Sequence, residues 1–431
     1  MSKQQRLVLI VAIMASFVGA LDGFIVNVAL PAISRDLGGG LVVQQWVVDA
    51  YLLTLGSCIL IAGSLSDLFG RRKVLEIGLI GFGVASILCA VAPNGDTLII
   101  ARAIQGLAGA LLVPSSLAMI IAAFSGKAQS KAIGSWTAWF SIAAIAGPLL
   151  GGLIINYGSW RWIFAINVLP IALCLWLLMR LEQPVRTDEQ ARVDLPGALL
   201  CMFGLAGSVY ALIEQPQHGW GSPVILLPLL SGCTLLAAFV YQESRAAQPM
   251  LPLSLFSRHN FSVGNVATAA IYAGLSLSSF MIVITLQQVG GWSALEAGLA
   301  MLPVTVVMFL FSSRAGALAG KYGPRVFMAA GPLVAAVGFL LMLRLQVHIR
   351  YASELLPGIL LFAAGLTLTV APLTAAILGD VDPEYAGVCS AVNNAVARIA
   401  GLVAIAFAGL MTGPHLEIHG FHRSMLTVAV L

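Results

Sequence analysis

The chain has 431 residues, of which 59% are hydrophobic and 9% charged. A soluble domain carries charge on about a quarter of its positions, so this chain cannot wet its own surface and needs lipid as its main solvent. The formal net charge of +4 is too small and too scattered to favour nucleic acid, and six cysteines without a CxxC pair or a His/Cys cluster indicate neither a disulfide framework nor a zinc site.

Lys3 and Arg6 precede an apolar run that has the outline of a signal peptide. Asp22 falls where a cleavage site would sit and apolar spans continue along the chain, so the run reads as a retained first helix. A helix that crosses a bilayer needs about 20 mainly apolar residues. Spans meeting that test are 7–30, 41–62, 74–93, 97–124, 132–157 and 160–180, then 195–214 and 222–242. They are followed by 263–289, 295–319, 326–343, 353–378 and 389–412. A last apolar run opens near Phe421 and reaches Leu431 after about 15 Å of helical rise, too little for a core of about 30 Å. The expectation is fourteen helices, the last truncated or vestigial. With a cytoplasmic N-terminus, 16 Lys and Arg residues fall at inner loops and helix ends and 5 at outer ones, as the positive-inside rule requires.

Gly63–Arg72, after the second span, is echoed by Gly316–Arg325 after the tenth, at an offset of 253 residues. The same offset carries the first span to residue 260, where the ninth begins. Six spans thus repeat as six. The expected organisation is an N-terminal six-helix bundle (1–185), an inserted helical pair (186–255) and a C-terminal bundle (256–431) whose final helix is incomplete. Repeated halves are a transporter signature.

Four ionisable groups lie inside spans: Asp22, Asp49, Arg102 and Arg398. A charge at bilayer depth costs at least about 2.5–3.5 kcal/mol on insertion scales, so it normally faces a cavity or a partner. At 1.5 Å per residue, Asp22 and Asp49 lie about 12 Å from the outer ends of their spans and Arg102 about 8 Å. A carboxylate in water is charged at physiological pH, whereas one whose wetting changes can take up and release a proton. Asp22 is expected to be the principal protonation site, with Asp49 a proton relay or a contact for a cationic substrate. The plainer alternative is a buried pair of either carboxylate with Arg102. Gln105, one turn below Arg102, is expected to face the same cavity; Asn27, Asn393, Asn394 and Arg398 are weaker candidates.

The 63–73 loop carries different chemistry. Gly63 and Gly70 permit close approach and tight turning, and Asp67, Arg71, Arg72 and Lys73 place charges at two helix ends. Such a cluster can latch neighbouring helices in one conformation; simple positive-inside anchoring is the alternative. In the fifth span, Gly147-Pro148 removes a backbone hydrogen bond and kinks the helix, while Gly151 and Gly152 let another helix pack closely. Together they read as a pivot or seal between the halves, or as a static kink. Trp160, Trp162 and Trp292 lie near span ends and read as interfacial anchors.

Taken together these residues resemble the major facilitator superfamily, and more closely its fourteen-helix drug–proton antiporter subfamily, over nearly the whole chain. The segment Leu21-Asp22-x-x-Ile25-Val26-Asn27-Val28-Ala29-Leu30-Pro31 is similar to that subfamily's first-helix motif, and Gly63-x-Leu65-x-Asp67-x-x-Gly70-Arg71-Arg72 to the superfamily's loop motif. Arg102-x-x-Gln105-Gly106 resembles the fourth-helix motif. Gly147-Pro148-x-x-Gly151-Gly152 resembles the fifth-helix antiporter motif, and Trp160-Arg161-Trp162-Ile163-Phe164-x-Ile166-Asn167 follows it. Two departures stand out: Gly320 replaces the loop aspartate in the second half, and the last helix is short. The resemblance implies an all-α membrane fold and a coupling role for Arg102 and both acidic positions. It also implies a monomer that exports antiseptics, dyes or antibiotics across the inner membrane in exchange for protons.

No GxxxxGK[ST] loop is present, so no nucleotide or other cofactor is expected. An enzyme is not indicated either, since the sequence has no HExxH site, no GxSxG elbow and no sizeable soluble domain. A negatively charged cavity favours cationic cargo mildly. Export of one metabolite or siderophore, or a transport-inactive sensor, are the alternatives.

Overall fold

Gly38, Gly39 and Gly40 all take positive φ (80°, 80° and 54°), and this run ends the first helix. The first membrane helix, α1 (Lys3–Leu37), therefore outruns its expected end at residue 30. In the computed structural model residues 1–181, 194–246, 249–379, 386–413 and 416–431 are described, and among them there is helix and no strand. Residues 182–193, across the expected boundary between the N-terminal bundle and the inserted pair, lie outside the described residues, as does the side chain of Asp67.

The remaining N-terminal helices are α2 (Gly40–Phe69), α3 (Arg71–Ala90), α4 (Gly95–Ala123), α5 (Gly126–Tyr157), α6 (Trp162–Ala165) and α7 (Val168–Met179). α8 (Leu195–His218) and α9 (Pro223–Arg245) follow. Then come α10 (His259–Gln288), α11 (Ala294–Ala300), α12 (Leu302–Tyr322), α13 (Pro324–Met342), α14 (Leu356–Gly379), α15 (Ala386–Ala406), α16 (Ala408–Thr412) and α17 (Ile418–Val430). Among the described residues, thirteen spans are long and apolar enough to cross a membrane. The span expected at 160–180 breaks after Ile166, because Pro170 has no N–H to bond the Ile166 carbonyl. The span expected at 295–319 breaks at Met301, where Pro303 opens α12.

Both halves pack by one plan. α1 lies on α4, α5 and α7, α2 and α3 lie on α4, and α3 lies on α7. Likewise α10 lies on α14, α15 and α17, α12 and α13 lie on α14, and α13 lies on α17. Gly70 and Gly323, 253 residues apart, end α2 and α12 with φ of 90° and 86°. The halves meet with the same two-fold logic: α1 touches α10, α2 touches α15, and α5 touches α11 and α12.

Lipid has no hydrophobic drive to separate helices from itself, so packing rests on close fit. α13 and α14 achieve it through Gly338 and Gly358, where a methyl on either would sit 2.7 Å from the other's carbonyl oxygen. Outward faces are apolar: α3 buries Leu75, Leu79 and Phe82 while exposing Ile77, Ile80, Val84 and Ile87. α9 forms part of the rim, and α8 lies against the α2–α15 seam, where Trp46 donates its indole N–H to Glu214 at 3.0 Å. α17 rises only about 20 Å, yet Phe421, Met425 and Val428 join the core that links α1 to α10. Trp160 departs from the expected anchor role. It is 4% exposed and donates to Asp36 at 2.9 Å, whereas Trp162 is 63% exposed.

Candidate functional site

Asp22 points from the middle of α1 into the N-terminal half and is fully buried. Every helix it faces supplies something. From α4, Arg102 Nη1 lies 2.6 Å from Asp22 Oδ2, and Gln105 donates to Oδ1 at 3.0 Å. From the break between α6 and α7, Asn167 donates to the same Oδ1 at 2.8 Å. From α3, Ser86 accepts from Gln105 at 2.9 Å. From α2, the Val47 carbonyl accepts from Arg102 Nε at 3.0 Å, and the Tyr51 ring lies 4.2 Å beneath the guanidinium. Asp22, Ser86, Arg102, Gln105 and Asn167 are all 2% exposed or less.

The spacing of the fourth-helix motif now has a physical reason. Arg102 and Gln105, three residues apart, share one helix face, and Arg102 Nη1 also donates to Gln105 Oε1 at 2.6 Å. Gly106 then lets α4 press against α2, since a methyl there would lie 2.2 Å from Thr54 Oγ1 and 2.3 Å from the Tyr51 carbonyl. That approach brings the Val47 carbonyl within reach of Arg102. The guanidinium is thus held by charge, hydrogen bonds and an aromatic face, the arrangement a cation at membrane depth requires.

Asp49 is placed apart from this cluster. It is fully buried and neither oxygen has a hydrogen-bond partner. Helical spacing puts it on the face of α2 that carries Gln45 and Gly56, which abuts α15. Gln45 donates there to the Ile405 carbonyl at 2.7 Å, and a methyl on Gly56 would lie 3.5 Å from Arg398 Cβ. Arg102 is therefore paired with Asp22, and Asp49 stands free of it. Asn27, one turn along α1, bonds the Gly23 carbonyl at 3.3 Å and stays outside the cluster. Two members are not among the expected site residues: Asn167 enters a linear reading only as the last residue of the motif after the fifth helix, and Ser86 not at all. An amide just before a proline-broken span is a weak signal for the first; an isolated serine in an apolar run gives none for the second.

The expected 63–73 loop is instead the end of α2 and the start of α3, with Gly70 alone between them, and its arginines bond within the N-terminal half. Gly70 joins α2 to α3 in the left-handed region, Arg71 donates to the Ala118 carbonyl at 3.1 Å, and Arg72 donates to the Leu181 carbonyl at 2.6 Å. A methyl on Gly63 would meet nothing within 4 Å.

The antiporter helix touches both halves. Methyls on Gly147 and Gly151 would lie 2.7 Å from Phe24 Cβ and 2.8 Å from Ile25 Cγ1 on α1. One on Gly152 would lie 2.5 Å from Leu295 Cα on α11, and one on Gly298 would lie 2.7 Å from the Pro148 carbonyl. At that same end, opposite the N-terminus, Gln287 donates to the Val28 carbonyl at 3.0 Å. The halves are thus clamped there by backbone contact and by amide hydrogen bonds.

The model of the Major Facilitator Superfamily matches residues 12–405, and the chain belongs to that family. It is a membrane transporter and not an enzyme. The chain is 35% identical over 422 residues to the puromycin resistance protein of Streptomyces alboniger, covering 96% of this chain and 83% of that one. It is 35% identical over 426 residues to the multidrug resistance protein Stp of Mycobacterium tuberculosis, covering 97% and 79%. It is 33% identical over 411 residues to the methylenomycin A resistance protein of Bacillus subtilis, covering 94% and 87%. Among solved structures, a peptide transporter in complex with sulfate superposes with a TM-score of 0.70 at 14% identity, covering 100% and 93%. A D-xylose–proton symporter does so at 0.68 and 16%, covering 99% and 97%; these show the fold alone.

Proposed function

We propose that this protein is a proton-driven efflux antiporter of the fourteen-helix subfamily, exporting amphipathic drugs or toxic compounds across the inner membrane as a monomer. The N-terminus is cytoplasmic in this reading, on the strength of the lysine and arginine asymmetry. Residues 1–185 and 256–431 act as two rocking bundles with 186–255 as an inserted pair, an assignment supported by the shared packing plan of the halves.

The observation that carries the proposal is the Asp22 cluster. Asp22 is the carboxylate that binds and releases the proton, and Arg102, Gln105 and Asn167 hold its charged form while the site is closed. Protonation removes the charge that Arg102 neutralises, so the cluster loosens and the helices that meet at it, α1, α2, α4 and the α6–α7 break, are freed to shift. Asp49, buried without a partner, serves as a second proton-carrying group or meets the cargo. Gly147, Pro148, Gly151 and Gly152 seal the outer end, and the 63–73 segment at the α2–α3 turn sets the inner one. Names of relatives that refer to single antibiotics support a second reading in which the cargo range is narrow.

The test uses inside-out vesicles with an imposed pH gradient and ethidium as cargo. Gradient-dependent uptake by the wild type, lost in Asp22→Asn at equal insertion, is the expected result. Uptake that ignores both the gradient and the substitution would overturn proton coupling.

A further inference from the structure

Arg398 is the second arginine inside a span, and its setting differs from that of Arg102. It stands 12 residues from the start of α15 and 14 from Thr412, the end of that span, which is mid-membrane. Its side chain is half-buried, and it makes no hydrogen bond or ion pair with a described residue. A guanidinium at that depth is costly unless a partner or a wetted cavity takes its charge. No partner does so here.

Geometry directs it to the seam between the halves. On one side α2 passes so closely that a methyl on Gly56 would lie 3.5 Å from Arg398 Cβ. On the other side α10 is equally close, since a methyl on Gly401 would lie 2.5 Å from Ser276 Oγ. One turn earlier on the same face, Asn394 is exposed, its amide turned back only to the Ser390 carbonyl at 3.4 Å. Asn393 faces away to Asn265 and Thr268. Asp49 is the unpartnered carboxylate on the same face of α2 as Gly56, two turns off, and its oxygens do not meet Arg398.

Charge arithmetic then changes the cargo expectation. Asp22 and Arg102 cancel each other, and among its described residues the seam holds one unpartnered carboxylate, Asp49, and one unpartnered guanidinium, Arg398, so its formal charge is not net negative. We infer that Arg398 is an anion-recognition point for cargo, and that the exported compounds include amphipathic molecules carrying a carboxylate. The guanidinium fork matches a carboxylate in a bidentate way, and Asn394, one turn away on α15, adds a second polar group to the same face. This inference rests on the export reading above.

The test is equilibrium binding to the purified full chain in detergent, by fluorescence anisotropy, with two probes: fluorescein, an amphipathic carboxylate, and ethidium, an amphipathic cation. Losing a charge-assisted contact should weaken fluorescein by about tenfold or more in Arg398→Gln, and by less in Arg398→Lys. Ethidium should bind Arg398→Gln as well as it binds the wild type or better, which also shows that the variant is folded. Wild type that binds ethidium but no fluorescein overturns anion recognition and leaves export standing. Equal loss of both probes in Arg398→Gln, or unchanged fluorescein affinity, overturns it as well. Fluorescein binding that depends on Arg398, in a chain whose ethidium uptake ignores the pH gradient, supports anion recognition and removes proton coupling alone.

Discussion

Asn167 donates its amide to Asp22 across 2.8 Å from the break between α6 and α7. The backbone stays right-handed helical through this junction, with Asn167 at φ −66° and ψ −26°, and the Asn167 side chain faces Asp22 on α1. A hydrogen bond to a charged group is worth about 1.5–3 kcal/mol, so Asn167→Ala should slow gradient-driven ethidium uptake by about tenfold without changing insertion. Asn167→Asp, which sets a second carboxylate against Asp22, should abolish uptake. Wild-type rates in Asn167→Ala would remove this residue from the coupling machinery.

The two buried aspartates should differ in stability as well as in transport. Asp22→Asn leaves Arg102 buried without its counter-charge, a loss of about 3–5 kcal/mol, and the melting temperature of the purified protein should fall accordingly. The double variant Asp22→Asn/Arg102→Met should recover much of that loss while remaining inactive. Asp49 has no partner to strand, so Asp49→Asn should melt at or above the wild-type temperature. A large destabilisation in Asp49→Asn would contradict its isolation in the structure.

Much of this was legible in the sequence because lipid imposes simple rules. Apolar length marks the thirteen spans found among the described residues, and the cost of buried charge singles out Asp22, Asp49, Arg102 and Arg398. What linear reading misplaced were ends and breaks. The first apolar span ends at residue 30 in a linear reading, yet α1 runs on to the glycines at 38–40, whose positive φ closes the turn. The Asn167 break depends on one missing N–H at Pro170, a local event inside an apolar run that reads as continuous. Spacing also left open which carboxylate meets Arg102. The helix faces decide it: Asp49 lies two residues from Val47, whose carbonyl binds Arg102, and so turns away from it towards α15.

The loop glycines make a paired prediction. Gly70 has φ of 90°, a region that costs an L-residue about 1–2 kcal/mol, so Gly70→Ala should lower the melting temperature and transport together. Gly63 has space for a methyl and lies inside α2, where alanine is favoured over glycine by up to about 1 kcal/mol. Gly63→Ala should therefore be neutral or stabilising. If Gly63→Ala stopped transport while the protein remained stable, the loop would need Gly63 bare in a conformation other than this one.

The clamp at the end opposite the N-terminus gives the most direct handle on alternating access. Gly152 meets the Leu295 backbone, and backbone cannot rotate aside as a side chain can. Gly152→Ala should therefore push α5 from α11 and favour the state open at this end. Gly147 meets Phe24 within its own half, so Gly147→Ala should cost about 1–3 kcal/mol of overpacking with no such bias. A cysteine introduced at Gln287, whose amide bonds Val28 across the halves in the closed state, reports the difference. Its labelling by a membrane-impermeant maleimide, added on that side, should be faster in Gly152→Ala and unchanged in Gly147→Ala. Equal labelling in both backgrounds would mean that the clamp is static packing, and that access at this end is set elsewhere along the α1–α10 and α2–α15 seams.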